Sequence, residues 1–450
     1  MANFLDQRIN FERVHRIPYG DRVMKLGRME TLYTALGKPT DGLPIFHLAG
    51  TKGKGSTAAM LARCLTAAGW KTGLYSSPHI LNIEERIQIN GQPIPHEAFE
   101  ELLEQVRPVV EKIDAELPDG EGPTFFDILT ATALLYFEQQ QVEYVVLETG
   151  LGGRLDSTNV VSPLVSILTH ISFDHTTQLG SSLAQIATEK AGIIKPHSLV
   201  VSDAQQSEVN EVIREKAAKE NATLLRLDED FSYEYSSNEV TLHLQTTDLL
   251  PHTFELGMRG EHQAANATLA VAAMVAGLGK WGHLPETDVL LQSIQQGLRE
   301  ATLPCRFEIF QKKDAPTVVL DGAHNVASVQ KLLATLEETF GEKERTLIFA
   351  ASRDKHSAEM LEALRPHFAS VLLTEFVDPP KSEPAANFLT EPSDPAVEVA
   401  LPAAKALEQA LQRASAENIL CVTGSLFLTS ELRRVLLSDA DQYGGYVPVR

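Results

Sequence analysis

Short apolar runs alternate with longer amphipathic stretches along most of the chain. "PIFHLA" (44–49) predicts a buried strand, "GSTAAMLARCLTAAG" (55–69) an apolar-rich helix, and "KTGLYSS" (71–77) a second strand. An earlier helix is predicted from Arg22 to Leu36, stopped by Gly37 with Pro39 beyond. "RIQINGQPI" (86–94) sets Asn90-Gly91 between two short alternating runs, the signal of a tight hairpin. From His96 to Leu117, Phe99, Leu102, Leu103, Val106, Val110 and Ile113 keep helical spacing, and Pro108 predicts a kink. "TFFDILTATALLYFEQQ" (124–140) is a further helix. "YVVLETG" (144–150) and "LVSILTH" (164–170) are strands, "SLAQIATEKAGII" (182–194) a helix and "SLVVSD" (198–203) a strand. This alternation predicts a mostly parallel sheet covered on both faces.

Residues 228–258 change character, and "FSYEYSSNEVTLHLQTT" reads as a local antiparallel excursion. "GEHQAANATLAVAAMVAGLG" and "ETDVLLQSIQQGLREA" return to helix, and "TLPC" (302–305) is a candidate linker. A second alternating set begins at Phe307. It comprises strand "TVVLDGA", helix Asn325 to Phe340, strand "RTLIFAAS", helix 356–368, strand "SVLLTEF", helix 402–415, strand "NILCVTGS" and a last helix. Residues 377–400, rich in proline and acids, are predicted to be a surface loop. The expectation is therefore α/β: a mostly parallel sheet domain with a phosphate loop over 1–302, then a smaller Rossmann-like α/β domain over 303–450.

Composition narrows the function. The net charge of −21 argues against nucleic acid or an anionic membrane as partner. No apolar run approaches a membrane span, and the start, MANFLDQRINFERVHR, has no apolar signal core. Three cysteines, Cys64, Cys305 and Cys421, form no CxxC pair, which suits a reducing compartment. A cytoplasmic protein is expected.

The candidate chemistry begins at "HLAGTKGKGSTAAML" (47–61). It follows a buried strand, packs Gly50, Gly53 and Gly55 into six residues and opens a helix. Backbone N–H groups there can face phosphate oxygens, Lys54 can reach the β/γ-phosphates, and Ser56 is placed for phosphate or Mg²⁺. The segment nonetheless fails the Walker A pattern: counting from Gly50, the residue after the second glycine is Ser56 and not lysine. On these residues alone, a plain strand-to-helix turn is the alternative.

"GTKGKGS" is similar to the G-T-N-G-K-G-S/T loop of the Mur ligase superfamily. More narrowly, the chain resembles the folylpolyglutamate synthase and dihydrofolate synthase family. "LYSSPHI", "ERIQING", "VVLETGLGGRLDSTNVV", "ISFDHTTQLG", "EKAGIIK", "TLPCRFEIF", "LDGAHN" and "CVTGSLF" match that family's segments in order, from about residue 20 to 435. The resemblance implies that Gly50, Thr51, Lys52, Gly53, Lys54, Gly55 and Ser56 hold the phosphates of ATP. It adds Asn266, Arg306 and Asp321 to the nucleotide site; a helix-surface amide and a strand-end cap are the plain alternatives for Asn266 and Asp321. It implies two Mg²⁺ ions and a metal set of Ser77, Glu148 and His175, although chemistry alone favours a structural or acid–base role for the histidine. Lys190 matches a carbamylated lysine of the family, where a bare ammonium would be a helix-surface residue.

For the pterin-containing substrate the matching positions are Phe125, Phe126, Asp127, Leu155, Asp156 and Ser157, with core packing the alternative for both phenylalanines. His324 and Ser425 resemble positions that meet the incoming glutamate. The catalytic group so implied is Lys54, His175, Lys190 and His324. Three departures stand out: Lys52 where Asn is usual, Cys305 where Gly is usual and Val326 where Pro is usual.

The activity implied is ATP-dependent addition of L-glutamate to folate or dihydropteroate through an acyl phosphate, by a monomer. ATP is expected to draw ligands from both domains. One rival is another Mur-type ligase acting on a different carboxylate. Ligases of peptidoglycan precursors carry a separate domain before the loop, where about 46 residues stand here. The other rival is a P-loop ATPase that does not ligate.

Overall fold

The structure, a computed structural model, describes residues 2–12, 26–118, 120–203, 205–244, 251–353, 357–377, 382–389, 394–438 and 445–449. It divides into two compact units. The first comprises Met1–Leu256 with Gln263–Ala301, the second Gly257–His262 with Thr302–Arg450. The division falls at the "TLPC" segment, but the six residues Gly257–His262, four before the helix Glu261–Trp281 and its first two, group with the second unit, which no change in composition signals.

The first unit is built on an eight-stranded sheet. Its strands are β1 (Ile45–Ala49), β2 (Thr72–Tyr75), β3 (Ile87–Ile89), β4 (Gln92–Pro93), β5 (Tyr144–Glu148), β6 (Val165–Leu168), β7 (Leu199–Ser202) and β8 (Thr223–Arg226). Their order is β4-β3-β2-β5-β1-β6-β7-β8. From β2 to β8 all neighbours are parallel, and β1 lies between β5 and β6. Every residue of β1, β5 and β6 is buried, as continuous apolar runs require of a sheet covered on both faces. The antiparallel edge β3–β4 is the hairpin predicted at Asn90-Gly91, and both turn residues take positive φ, +51° and +75°. Helix His96–Glu116 runs through Pro108 and buries Phe99, Leu102, Leu103, Val106, Val110 and Ile113, the stripe its spacing defined. Of the helix predicted at 22–36, Leu26–Ala35 is helical; residues 22–25 lie outside the described residues.

The excursion at 228–258 is an antiparallel three-stranded sheet of β9 (Phe231–Ser236), β10 (Glu239–Leu244) and β11 (His252–Glu255).

Among the described residues the second unit has seven strands: β12 (Glu308–Gln311), β13 (Thr317–Leu320), β14 (Arg345–Phe349), β15 (Ser370–Leu373), β16 (Val397–Val399), β17 (Ile419–Thr423) and β18 (Val447–Pro448). The order is β16-β15-β14-β17-β13-β12-β18, parallel from β16 to β13 and antiparallel at β12 and β18. The segment expected to be a surface loop, 377–400, carries a short 3₁₀ turn, Ala385–Phe388, and strand β16, three residues that complete the sheet edge. A pairing this short leaves no periodicity to read. Residue 356, where the next helix was predicted to start, and residues 378–381 and 390–393 lie outside the described residues.

Candidate active site

Both sheets place their candidate chemistry at the carboxyl ends of parallel strands, where loops lead into helices. In the first unit, β1 ends at Ala49 and helix Lys54–Ala67 begins four residues after Gly50. Gly53 sits at the helix start with φ +91°, a left-handed conformation, and a Cβ there would fall 2.2 Å from Asn266 Oδ1. Glycine is thus required twice over, and Asn266, itself buried, is pressed against the loop the resemblance assigns to phosphate. A Cβ on Gly50 would fall 1.8 Å from Thr169 Oγ1.

The loop donors separate into two groups. The amides of Thr51 and Lys52 both donate to the His170 carbonyl, at 2.8 and 3.1 Å, and Thr51 Oγ1 donates to Ser172 O at 3.0 Å. These contacts tie the loop to the segment after β6. Amides in the first turn of the helix, at Lys54, Gly55 and Ser56, have no acceptor within it and point along the positive end of its dipole.

Two ammonium groups converge beside them. Lys54 Nζ donates to Gly50 O at 3.1 Å, and Lys190 Nζ donates to the same oxygen at 2.7 Å. Among the described residues neither forms an ion pair with a carboxylate. Lys190 lies on helix Leu183–Ala191 and is 4% exposed. Burial, then repulsion from Lys54, pushes its pKa down to about 7. A surface lysine was the plain alternative for this position, and its burial removes that reading. The arrangement gathers two lysine side chains, a helix N-terminus and glycine backbone around one loop carbonyl.

Glu148 ends β5 and is buried; Ser77 N–H donates to its Oε2 at 3.2 Å, so these two members of the expected metal set stand together. His175 is half exposed, takes φ +49° and lies 3.9 Å from Asp174 Oδ1 through Nε2. Among the described residues no cluster of three His, Cys, Asp or Glu side chains is gathered for a metal. Lys52, the departure from Asn, lies 3.5 Å from Asp174 Oδ2, so the substitution links the loop to the His175 segment electrostatically.

The substrate set divides sharply. Asp127 closes a capping box with Thr124, accepts Arg28 Nε at 3.0 Å on one oxygen and Ser157 Oγ at 2.5 Å on the other. Asp156 accepts the amide of Leu151 and both the amide and hydroxyl of Thr158, and burial raises its pKa. Both carboxylates therefore shape the loop 150–158 and the helix start at Phe125. Phe125 is buried under the Arg86 guanidinium, 5.8 Å from its ring centroid. Phe126 is partly buried, packs 5.9 Å from Tyr75 and presses on Gly150, where a Cβ would come within 2.7 Å of its ring. Leu155 is half-buried in the same loop. Nothing in the sequence points to a role for Arg86: a long cation inside the short alternating run of "ERIQING" gives no sign of being buried.

The second unit brings its four candidates to one sheet end, since β13 and β17 are parallel neighbours. Asp321 follows β13 and accepts the amides of Phe307 and Ala323, at 2.8 and 2.9 Å; burial raises its pKa and Arg306 opposes the rise. Arg306 stands between Cys305 at φ +57° and Phe307 at φ +47°. The left-handed backbone at Cys305 is the physical reason glycine is usual there. His324 Nδ1 lies 2.8 Å from Gly322 O, so that nitrogen carries a proton and donates it to the carbonyl. Ser425 follows β17 and caps helix Leu426–Leu436 through Phe427 N–H, while Gly424 N–H donates to Ala323 O.

Val326 is the first residue of helix Val326–Phe340, and Asn325 before it is extended (φ −154°, ψ 163°). That is a position proline fits, with the preceding backbone already compatible. Val326→Pro is expected to raise the melting temperature by about 1–4 °C through loss of unfolded-state freedom. A fall on thermal unfolding would mean that the packing of Val326 against its core outweighs that gain.

Comparison with known proteins agrees with this architecture. The Mur ligase middle domain matches residues 48–274, and the Mur ligase glutamate ligase domain matches residues 305–426. The two together define a Mur ligase. The dihydrofolate synthase/folylpolyglutamate synthase of Bacillus subtilis is 36% identical over 426 residues, covering 91% of this chain and 94% of the relative. Folylpolyglutamate synthase of Thermotoga maritima superposes with a TM-score of 0.82 at 30% identity, over 98% of this chain and 97% of that one. E. coli FolC in complex with DHPP and ADP gives 0.80 at 27% identity, over 97% of each chain. Within the Mur ligases, the chain belongs to the dihydrofolate synthase/folylpolyglutamate synthase family. Among the described residues no helix is long and apolar enough to cross a membrane.

Proposed function

We propose that the chain is an ATP-dependent ligase that adds L-glutamate to folate and to dihydropteroate, releasing ADP and phosphate. The observation that carries the reading is the combination of a two-lysine phosphate pocket at Gly50 with a second α/β unit that gathers Arg306, Asp321, His324 and Ser425 at one sheet end. A nucleotide switch needs the first and has no use for the second.

The substrate carboxylate attacks the γ-phosphorus in line, forming the acyl phosphate as ADP leaves; the glutamate amine then attacks the acyl carbon and expels phosphate. Charge builds on the transferring oxygens, and stabilising it is the main task of the site. In the first unit, Lys54 Nζ and the first-turn amides of Lys54, Gly55 and Ser56 hold the β/γ-phosphates, with Asn266 against the loop; in the second unit, Arg306 and Asp321 are the groups suited to a nucleotide. His324 and Ser425 receive the glutamate. Phe126 and loop 150–158 flank the pterin, with Asp127 and Asp156 shaping that wall.

The donor set at Glu148 fits magnesium: the buried carboxylate and Ser77 beside it would hold the ion. The ion, when bound, neutralises phosphate charge. His175 and Lys190 would hold a second ion only with Lys190 as an anion, because an ammonium cannot ligate. Carbamylation of Lys190 supplies that anion, and its depressed pKa keeps the amine neutral enough to react.

The deciding experiment incubates the protein with ATP, glutamate and either dihydropteroate or tetrahydrofolate and identifies products by mass. Addition of one glutamate residue, with ADP release requiring both acceptor and glutamate, is expected for each. ATP hydrolysis indifferent to both would establish the switch instead.

A further inference from the structure

The largest fully buried side chain among the described residues is Arg86, 2% exposed, at the end of the turn preceding β3. A buried guanidinium requires a counter-charge, and Glu12 supplies it with two parallel bonds of 2.7 Å each. Arg86 in turn brackets the loop between β2 and β3 from both sides. Its carbonyl accepts the amide of Ser76 at 3.0 Å, and its Nε–H donates to His79 Nδ1 at 2.9 Å. Ser77 lies between these two anchors and reaches Glu148.

The segment bearing Glu12 is fastened independently of this pair. Phe125 N–H donates to Ile9 O at 3.1 Å, Arg8 pairs with Asp114 at 2.6 Å, and Arg8 and Arg107 both stack on Phe4. Glu12 therefore is not what holds the segment down. Its carboxylate is aimed at Arg86, and through Arg86 at the loop that carries Ser77.

We infer that Glu12 is a positioning residue for the ligase reaction: through its bidentate pair with Arg86 it sets the place of Ser77 beside Glu148. The inference rests on the reading of Ser77 and Glu148 as the magnesium site. An unpaired Arg86 would lose its orientation and His79 its donor, leaving the Ser76 amide and the Glu85 carboxylate, which takes the amides of Ile80, Leu81 and Asn82, to hold the loop. Misplacement of a reacting group by about 1 Å costs rate far more than it costs binding of the whole substrate.

The test is a double-mutant cycle on the full chain with Glu12→Gln, Ser77→Ala and both together. Each is measured for kcat, for KM of ATP and the folate acceptor, for the Mg²⁺ concentration giving half-maximal rate, and for melting temperature. Glu12→Gln is expected to lower kcat about 10- to 100-fold and to raise the Mg²⁺ requirement, with KM for the folate acceptor little changed. It should add almost nothing in the Ser77→Ala background, because both changes then act on one element. Glu12→Asp, which keeps the charge, should recover part of the rate.

Two results would overturn the inference while leaving the magnesium site intact. One is Ser77→Ala impaired and Glu12→Gln fully active. The other is losses that multiply in the double variant and follow melting temperature, with no change in Mg²⁺ requirement. Full activity of Ser77→Ala would instead remove the magnesium reading, and the role of Glu12 with it.

Discussion

Replacing Lys54 with alanine is expected to lower ligation by about 10²–10³-fold, the usual loss on removing one group aimed at transition-state charge. The fold should survive. Lys54 is the first residue of its helix and only partly buried, and among the described residues its side chain donates to a loop carbonyl that Lys190 also serves. Alanine is the strongest helix former, and removing one of two neighbouring cations relieves repulsion. Melting temperature should hold or rise while kcat collapses. A second signature separates this variant from general damage. Lys54 is, after burial, the largest influence holding down the pKa of Lys190. In Lys54→Ala that pKa should move up, and whatever residual rate depends on neutral Lys190 should shift to higher pH. Near-normal kcat with folate and glutamate would reject the role given to Lys54.

The parts of this site that are legible in sequence are those written in backbone. Glycine at 50 and 53 announces a tight strand-to-helix turn, and the structure gives each a neighbour that leaves no room for a side chain. The buried parallel strands are legible for the same reason: β1, β5 and β6 are covered on both faces, so their apolar runs are unbroken. Three-residue pairings such as β16 bury too little to leave a pattern. Charged side chains divide differently. Lys190 reads as a surface residue because its helix is short and half polar, yet it is buried. Asp127 and Asp156 were both seen, but whether a carboxylate faces a ligand or its own loop depends on which amides the fold brings to it. For these two the fold supplies caps, hydroxyls and Arg28. Arg86 and Glu12 stand 74 positions apart, and no local signal could join them. Lys52 is intermediate: the departure from Asn is visible in the chain, but its partner Asp174 is known only from the fold.

Lys190→Ala is expected to abolish most activity, and its response to small acids should tell which chemical form of the lysine works. The carbamate forms when the neutral amine attacks CO₂, making an N–C bond and releasing one proton. An ordinary lysine, with a pKa near 10.4, is neutral in only about four parts in ten thousand at neutral pH. Lys190, held at about 7 by burial and by Lys54, is neutral in a large fraction. Depleting dissolved CO₂ should therefore slow the unmodified protein, and bicarbonate should restore it. The protonated fraction grows as pH falls through about 7, so the bicarbonate requirement should steepen on the acid side and fade on the alkaline side. Lys190→Ala should ignore bicarbonate at every pH. Acetate or formate, placed in the vacated volume beside Gly50, should return part of its rate by supplying the missing anion. Two results would count against the carbamate. Full activity in Lys190→Ala would leave the lysine structural, and a protein indifferent to CO₂ depletion would leave it working as a cation on the phosphates, beside Lys54.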